Sequence, residues 1–166
     1  MFDLSTDAPL ITRRLRGAIS GLQAGVVGGL AMIVFMTVVS LLERGPWWAY
    51  PNLLATMFYG GHWLAIGPGW PTIVGSAVPV LSAGVAGGVF GAIFGETTGG
   101  SRSLVLGIIW GLGWYYFSDW VYRTQARWIS VYAPELPLLM ARLLLGLVLG
   151  TAGRIRGAAQ IGGRIG

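Results

Sequence analysis

Four long runs of apolar residues, separated by shorter polar or aromatic stretches, dominate the pattern along this chain. They cover residues 17–42, 75–95, 103–122 and 136–153. Each run is long enough to cross the roughly 30 Å hydrocarbon core of a bilayer as a helix. Backbone N–H and C=O groups in lipid must find their partners within the segment, which favours helices. The pattern therefore predicts an all-α integral membrane protein, with four transmembrane helices in a single membrane domain, residues 1–166.

The stretch of residues 46–74 differs from these runs because it is rich in Trp, Pro and Gly and carries no charged residue. Pro51 suits the first turn of a helix, and Gly60 with Gly61 is a signal for its end. We expect a short amphipathic helix in this first external loop. It would lie in the outer interface of the membrane, or dip back into it, before the second span.

Glycines recur at four-residue intervals in the apolar runs. Small residues at this spacing let helices approach closely, and dispersion forces then hold them together in lipid. Residues 22–29 also resemble residues 81–88, which indicates either a duplicated unit or a shared glycine-rich composition. The pattern predicts a Gly-rich bundle packed through Gly17, Gly21, Gly25, Gly29, Gly84, Gly87, Gly88, Gly91, Gly95, Gly107, Gly111, Gly146 and Gly150.

Composition supports a lipid environment and excludes several kinds of chemistry. Hydrophobic residues make up 54% of the chain and charged residues only 10%, against about 25% charged in soluble domains. There is no cysteine and one histidine, which excludes disulfides, iron–sulfur ligation and a bis-histidine haem. No nucleotide-binding or hydrolase motif is present. We therefore expect no enzymatic activity, no metal site and no intrinsic cofactor, although a lipid, quinone or pigment could bind.

The charge distribution predicts the orientation of the chain. All 11 basic residues are arginine and the net charge is +5. The arginines flank the spans instead of lining one face, so we expect anionic lipids as partners and no nucleic acid. Cytoplasmic loops carry the arginine excess, which places both termini in the cytoplasm of a bacterium, with the spans in its inner membrane. The majority side holds Arg13, Arg14, Arg16, Arg102, Arg154, Arg156 and Arg164.

Three charged residues near the external ends of spans three and four are candidate site residues. Asp119 and Arg123 are one helical turn apart and can pair. Arg142 lies inside span four, where a lone charge is costly, so it should reach the interface or find a partner. We expect Asp119 beside Arg123 or Arg142. The three form either an ion pair that fixes helix register or an anion or quinone headgroup site bordered by Tyr116 and Trp120.

His62 is the remaining candidate, as a single axial ligand to a haem or pigment or as an ordinary interfacial histidine. The favoured function is a structural or accessory subunit of a larger respiratory or photosynthetic membrane complex. That subunit would pack through the glycines and an aromatic outer surface. The alternative is a small homo-oligomeric transporter or channel, which the repeat and the broken external segment would suit. An enzyme acting on lipid or quinone through His62 or Asp119 is a third hypothesis.

Overall fold

The computed structural model describes residues 8–95, 101–125 and 127–162, and the regular structure within these ranges is entirely helical. Within these ranges there are four long helices and three shorter ones. In chain order the elements are α1 (Ala8–Leu42), α2 (Ala49–Tyr59), a 3₁₀ helix (Gly61–Ala65), α3 (Trp70–Phe94), α4 (Ser101–Gln125), α5 (Arg127–Tyr132) and α6 (Glu135–Gly162).

Three of the long helices are long and apolar enough to cross a membrane: Arg14–Leu42 of α1, Trp70–Phe94, which is α3, and Glu135–Ala152 of α6. The prediction of a helical membrane protein is confirmed at this level. α4 is as long as α3, with 25 residues each. It is not one of the three because its tryptophans, tyrosines, glycines and Asp119 lower its mean hydropathy.

α1 and α3 pack antiparallel with their backbones in direct contact. A Cβ atom on Gly21 would collide with the carbonyl oxygen of Gly87, and one on Gly17 would collide with that of Gly91. Residue numbers on α3 fall as those on α1 rise, which defines the antiparallel register. Gly84 and Gly88 lie beside this contact, where the atoms nearest to an added Cβ are at 3.4 Å and 3.7 Å. At these positions of closest contact, only glycine lets the backbones of α1 and α3 approach each other this closely.

α4 and α6 form a second antiparallel pair of the same kind. A Cβ on Gly107 would meet the carbonyl oxygen of Gly146, and one on Gly150 would lie 2.9 Å from the Cα of Leu104. The Ser103 hydroxyl donates to the carbonyl oxygen of Gly150 at 2.7 Å. We call these two helix–helix contacts the glycine pairs.

The two glycine pairs meet along α1 and α6 and through one tryptophan. A Cβ on Gly28 of α1 would lie 2.5 Å from the Cδ1 atom of Leu145 in α6. On the other side, the Trp110 indole N–H of α4 donates to the carbonyl oxygen of Ala86 in α3 at 3.1 Å. Its ring lies 5.9 Å from that of Phe90, centroid to centroid, and is tilted by 53° against it. The long helices therefore form one bundle of two pairs.

One end of the bundle, which we call the cap end, is covered by α2, the 3₁₀ helix and α5. α2 packs against α3, the 3₁₀ helix, α5 and α1. Its residues Tyr50 to Thr56 are all buried by protein. The predicted short helix is therefore present in this loop, and protein buries most of it, whereas Phe58 and Tyr59 near its C-terminal end are exposed. Its place in the membrane interface stays a prediction. The carbonyl oxygen of Pro51 touches Gly75, where no side chain would fit.

Candidate functional site

A cleft of about 460 Å³ opens at the cap end, between α1, α2, the 3₁₀ helix and the link from α5 to α6. Met36, Val39 and Ser40 line it from α1, where their spacing of three and four residues places them on one face of the helix. Glu43 lines it from just beyond the end of α1. The remaining walls are formed by five apolar residues and two tyrosines: Ala49, Leu53, Leu64, Ala65, Pro134, Tyr50 and Tyr132. We call this cavity the cap cleft.

Glu43 marks the exposed rim of the cap cleft, just beyond the end of α1. Arg44 has a left-handed backbone conformation with φ of 59°, and the Gly45 N–H donates back to the Ser40 carbonyl oxygen at 2.8 Å. The Ser40 hydroxyl in turn donates to the carbonyl oxygen of Pro46 at 2.8 Å. These contacts reverse the chain after α1 and leave the Glu43 carboxylate beside the opening.

Tyr50 forms a wall of the cap cleft and is only 5% exposed. Its hydroxyl is fully buried and has no hydrogen-bond partner among the described residues. Burial raises the pKa of Tyr50, the neighbouring Tyr122 raises it further, and Arg142 lowers it. The net direction is upward, so the hydroxyl keeps its proton at neutral pH. It is a hydrogen-bond donor that lacks an acceptor, which is costly in a buried position.

Arg142 lies behind Tyr50 in the interior and is 1% exposed. Side chains on a helix tilt toward its N-terminus, so Arg142 extends from α6 toward the cap end. One terminal nitrogen donates to the Tyr122 hydroxyl at 3.1 Å and the other contacts the sulfur of Met32 at 3.9 Å. Among the described residues, no carboxylate lies within 4.0 Å of this guanidinium.

The buried arginine lies behind the lining of the cap cleft and is not itself part of that lining. Met36 lines the cleft, and Met32, one turn deeper on the same helix, contacts Arg142. Tyr50 lines the cleft and lies within electrostatic range of Arg142 and Tyr122. A buried positive charge needs a compensating negative one, and Tyr50 offers a free O–H. The site is therefore chemically suited to an acceptor that carries negative charge.

Of the three charged residues predicted to lie together, Asp119 and Arg123 form an ion pair, and Arg142 is not part of it. Arg123 bonds Asp119 at 2.8 Å and approaches Glu135 of α6 at 3.9 Å, with the Arg123 side chain 62% exposed. Arg142 lies apart from this surface network, in the interior. The two arginines differ in burial because the Arg142 side chain bonds the Tyr122 hydroxyl inside the bundle. Arg123 lies at the exposed end of α4.

The other predicted residues lie outside the cap cleft. Tyr116 and Trp120 are 70% and 62% exposed on α4, where Phe117 is exposed beside them. The rings of Phe117 and Trp120 lie 6.3 Å apart. His62 is exposed on the 3₁₀ helix and does not line the cleft. The structure thus does not bring His62 into the site that holds Arg142.

The structure assembles two residues that the sequence did not single out, Tyr50 and Tyr122. Both belong to the many aromatic residues near the ends of the apolar runs, and nothing in their spacing distinguishes them. The available signal was Arg142 itself, because an arginine in an apolar span requires partners. Among the described residues, no group of three or more His, Asp or Glu side chains could hold a metal ion.

The fold and the site together define a helical membrane protein with a partly open cavity beside a buried cation. Comparisons of this chain with protein-family models, curated proteins and solved structures found no match.

Proposed function

We propose that the chain is a four-span protein of the bacterial inner membrane that acts as a structural, accessory subunit of a larger membrane complex. That complex would be of the respiratory or photosynthetic electron-transfer type. α4 is the fourth span in this proposal. Its 25 residues would extend about 37 Å at 1.5 Å per residue, enough for the bilayer core. Its pairing with α6 resembles that of α1 with α3.

The arginine excess supports an orientation with both termini in the cytoplasm and the cap end outside. Because the chain has no cysteine, single cysteines introduced by mutation can test this orientation. We expect Glu43→Cys to react with an impermeant maleimide in intact cells. Arg102→Cys should react only after the cells are broken. The reverse pattern would contradict the orientation.

The observation that carries the docking proposal is the row of large aromatic side chains on α4. Tyr116, Phe117 and Trp120 are 70%, 52% and 62% exposed near the cap end. Tyrosine and tryptophan are enriched among the residues that dominate protein interfaces. An aromatic belt accounts for such residues at a membrane surface. Other aromatic side chains are exposed elsewhere, on Trp47, Phe58, Tyr59, Trp70 and Tyr132. The three on α4 lie together on one face of one helix, which suits a neighbouring subunit.

The alternative is a homo-oligomeric transporter or channel. The glycine pairs bring the backbones of α1 and α3, and of α4 and α6, into contact. These contacts leave no lumen between the members of either pair. A pathway would therefore have to run between copies of the chain, which makes the oligomeric state the discriminating property.

The proposal is tested by extracting the tagged protein from its native membrane in mild detergent. Mass spectrometry and the absorption spectrum then identify what accompanies it. We expect stoichiometric recovery of a larger complex, and loss of that complex from the double variant Tyr116→Ala, Trp120→Ala. Phe58→Ala is the matched control, because Phe58 is 62% exposed on α2 instead of α4. A colourless homo-oligomer without partners would contradict the accessory role and favour transport.

A further inference from the structure

We propose that the cap cleft binds a single-chain amphiphile with an anionic oxygen headgroup, a carboxylate or a phosphate monoester. In this structure the Tyr50 hydroxyl and the Arg142 guanidinium are both closed off from the cleft. Binding therefore requires the Tyr50 side chain to move, so that the headgroup accepts its hydrogen bond and compensates the charge of Arg142, while the alkyl chain lies along the apolar walls. This binding does not depend on the docking role proposed for α4. Failure to recover a partner complex would leave the proposal unaffected.

The headgroup chemistry follows from the two buried donors. Arg142 is 1% exposed, and its polar partners among the described residues are a hydroxyl and a thioether, neither of which carries a negative charge. Tyr50 is 5% exposed and its buried hydroxyl has no partner in the part of the chain that the structure describes. An oxyanion would satisfy both groups, because charge-assisted hydrogen bonds are the strong ones. A cationic or purely apolar ligand would satisfy neither.

The walls and the rim of the cap cleft are the reason to expect a ligand with an alkyl chain. Leu53 and Leu64 are among the apolar residues that make up most of the lining, and burial of methylene groups against them is favourable. The Glu43 carboxylate at the rim would repel a small free anion, which gains nothing from apolar walls. An amphiphile gains from both the walls and the donors. The volume of about 460 Å³ falls in the range of about 300–1000 Å³ typical of small-molecule sites.

The test uses the full-length protein in nanodiscs of phosphatidylcholine, with binding of radiolabelled lauric acid measured by scintillation proximity. Unlabelled lauric acid, dodecyl phosphate, dodecanol and dodecyltrimethylammonium serve as competitors with the same chain length. We expect the two anions to compete at least tenfold better than dodecanol, and the cation not to compete. If lauric acid binds more tightly than dodecyl phosphate, the natural headgroup is a carboxylate. The opposite order indicates a phosphate.

Three variants and one control locate the site. Tyr50→Phe, which keeps the ring, should weaken lauric acid binding about tenfold. Arg142→Gln should weaken it about a hundredfold. Glu43→Gln should tighten it about twofold to fivefold by removing repulsion at the rim. Tyr116→Phe removes a hydroxyl from an exposed tyrosine outside the cleft and should change nothing.

Two outcomes would overturn the proposal. One is competition by dodecanol equal to that of lauric acid. The other is an affinity of Tyr50→Phe that matches the affinity of Tyr116→Phe. If Arg142→Gln does not fold, Tyr50→Phe and Glu43→Gln decide the question, because both keep the arginine in place. Absence of any saturable binding of lauric acid or dodecyl phosphate would also refute the site.

Discussion

The glycine pairs and the cap end are held together by different physics. In the glycine pairs, backbone lies against backbone, as where Gly21 meets Gly87, and close van der Waals contact supplies the attraction. At the cap end, neutral hydrogen bonds hold α2 in place. The Asn52 amide donates to the carbonyl oxygen of Ile66 at 2.8 Å and accepts from the Thr72 hydroxyl at 2.7 Å.

The cap end also contains groups that destabilise the fold. The Tyr50 hydroxyl is buried without a described partner, and Arg142 is buried without a described carboxylate. Each of these lowers the free energy of unfolding, whereas the glycine contacts raise it. Residues that lower stability are expected where a protein has a function to perform. The glycine pairs therefore suit a scaffolding role, and the cap end suits the binding that we propose for it.

The largest effect is expected from a methyl group placed inside a glycine pair. Gly87→Ala would push a Cβ against the carbonyl oxygen of Gly21 and to 2.8 Å from the Cα of Gly25. We expect the free energy of unfolding, measured by SDS titration with circular dichroism, to fall by about 3 kcal/mol. Gly88→Ala is the matched control, because its nearest neighbour is at 3.7 Å. Equal effects at the two positions would contradict the close approach.

A smaller effect is expected from breaking the neutral network at the cap end. Asn52→Ala leaves the Thr72 hydroxyl and the Ile66 carbonyl oxygen without their Asn52 partners and should lower the free energy of unfolding by about 2 kcal/mol. Thr151→Val is the control, because that hydroxyl bonds only carbonyl oxygens of its own helix at 2.9 Å and 3.0 Å. A loss no greater than that of the control would show that the network does not hold α2.

The contact between the two glycine pairs should tolerate a methyl group better than the pairs themselves. A Cβ on Gly28 would meet the Cδ1 atom of Leu145 at 2.5 Å, and the end of a leucine side chain can rotate away. We expect Gly28→Ala to cost about 1 kcal/mol in the same titration. A loss as large as that of Gly87→Ala would show that the α1–α6 contact is as rigid as the pairs.

The smallest effect is expected at the surface ion pair. Asp119→Asn removes the carboxylate that bonds Arg123, whose side chain is 62% exposed. Exposed pairs of this kind contribute about 0.5 kcal/mol or less. Unfolding curves of the variant at low and high salt should therefore nearly coincide with those of the unchanged protein. A loss above about 2 kcal/mol would mean that this pair fixes the register of the helices.

Hydrophobic run length predicted the long helices well, because lipid leaves the backbone few alternatives. The glycine spacing identified positions such as Gly21 and Gly87, but it could not say which helices face each other. Residues 22–29 and 81–88, which resemble each other, lie in α1 and α3. They are partners in one glycine pair, so the demands of close packing favour a similar composition in both; a duplicated unit stays the alternative.

The cap end was predicted less well, because tertiary contacts decide its structure. The charge-free composition of residues 46–74 indicated a segment near the membrane, yet periodicity could not show that protein would bury α2 from Tyr50 to Thr56. Arg142 was recognised as a costly charge, but its partner is Tyr122, which is 20 residues away in sequence. Contacts of that separation leave no local pattern, so the cap cleft could not be found from the sequence.

The most direct test of the account is the free energy of unfolding of Arg142→Met. If the arginine is retained for binding, an apolar side chain of similar length should fit beside Met32 without loss. The variant should then be as stable as the unchanged protein, or more stable by up to about 2 kcal/mol. A loss of about 3 kcal/mol or more, as expected when a buried pair is broken, would contradict this. It would show that Arg142 holds the fold together.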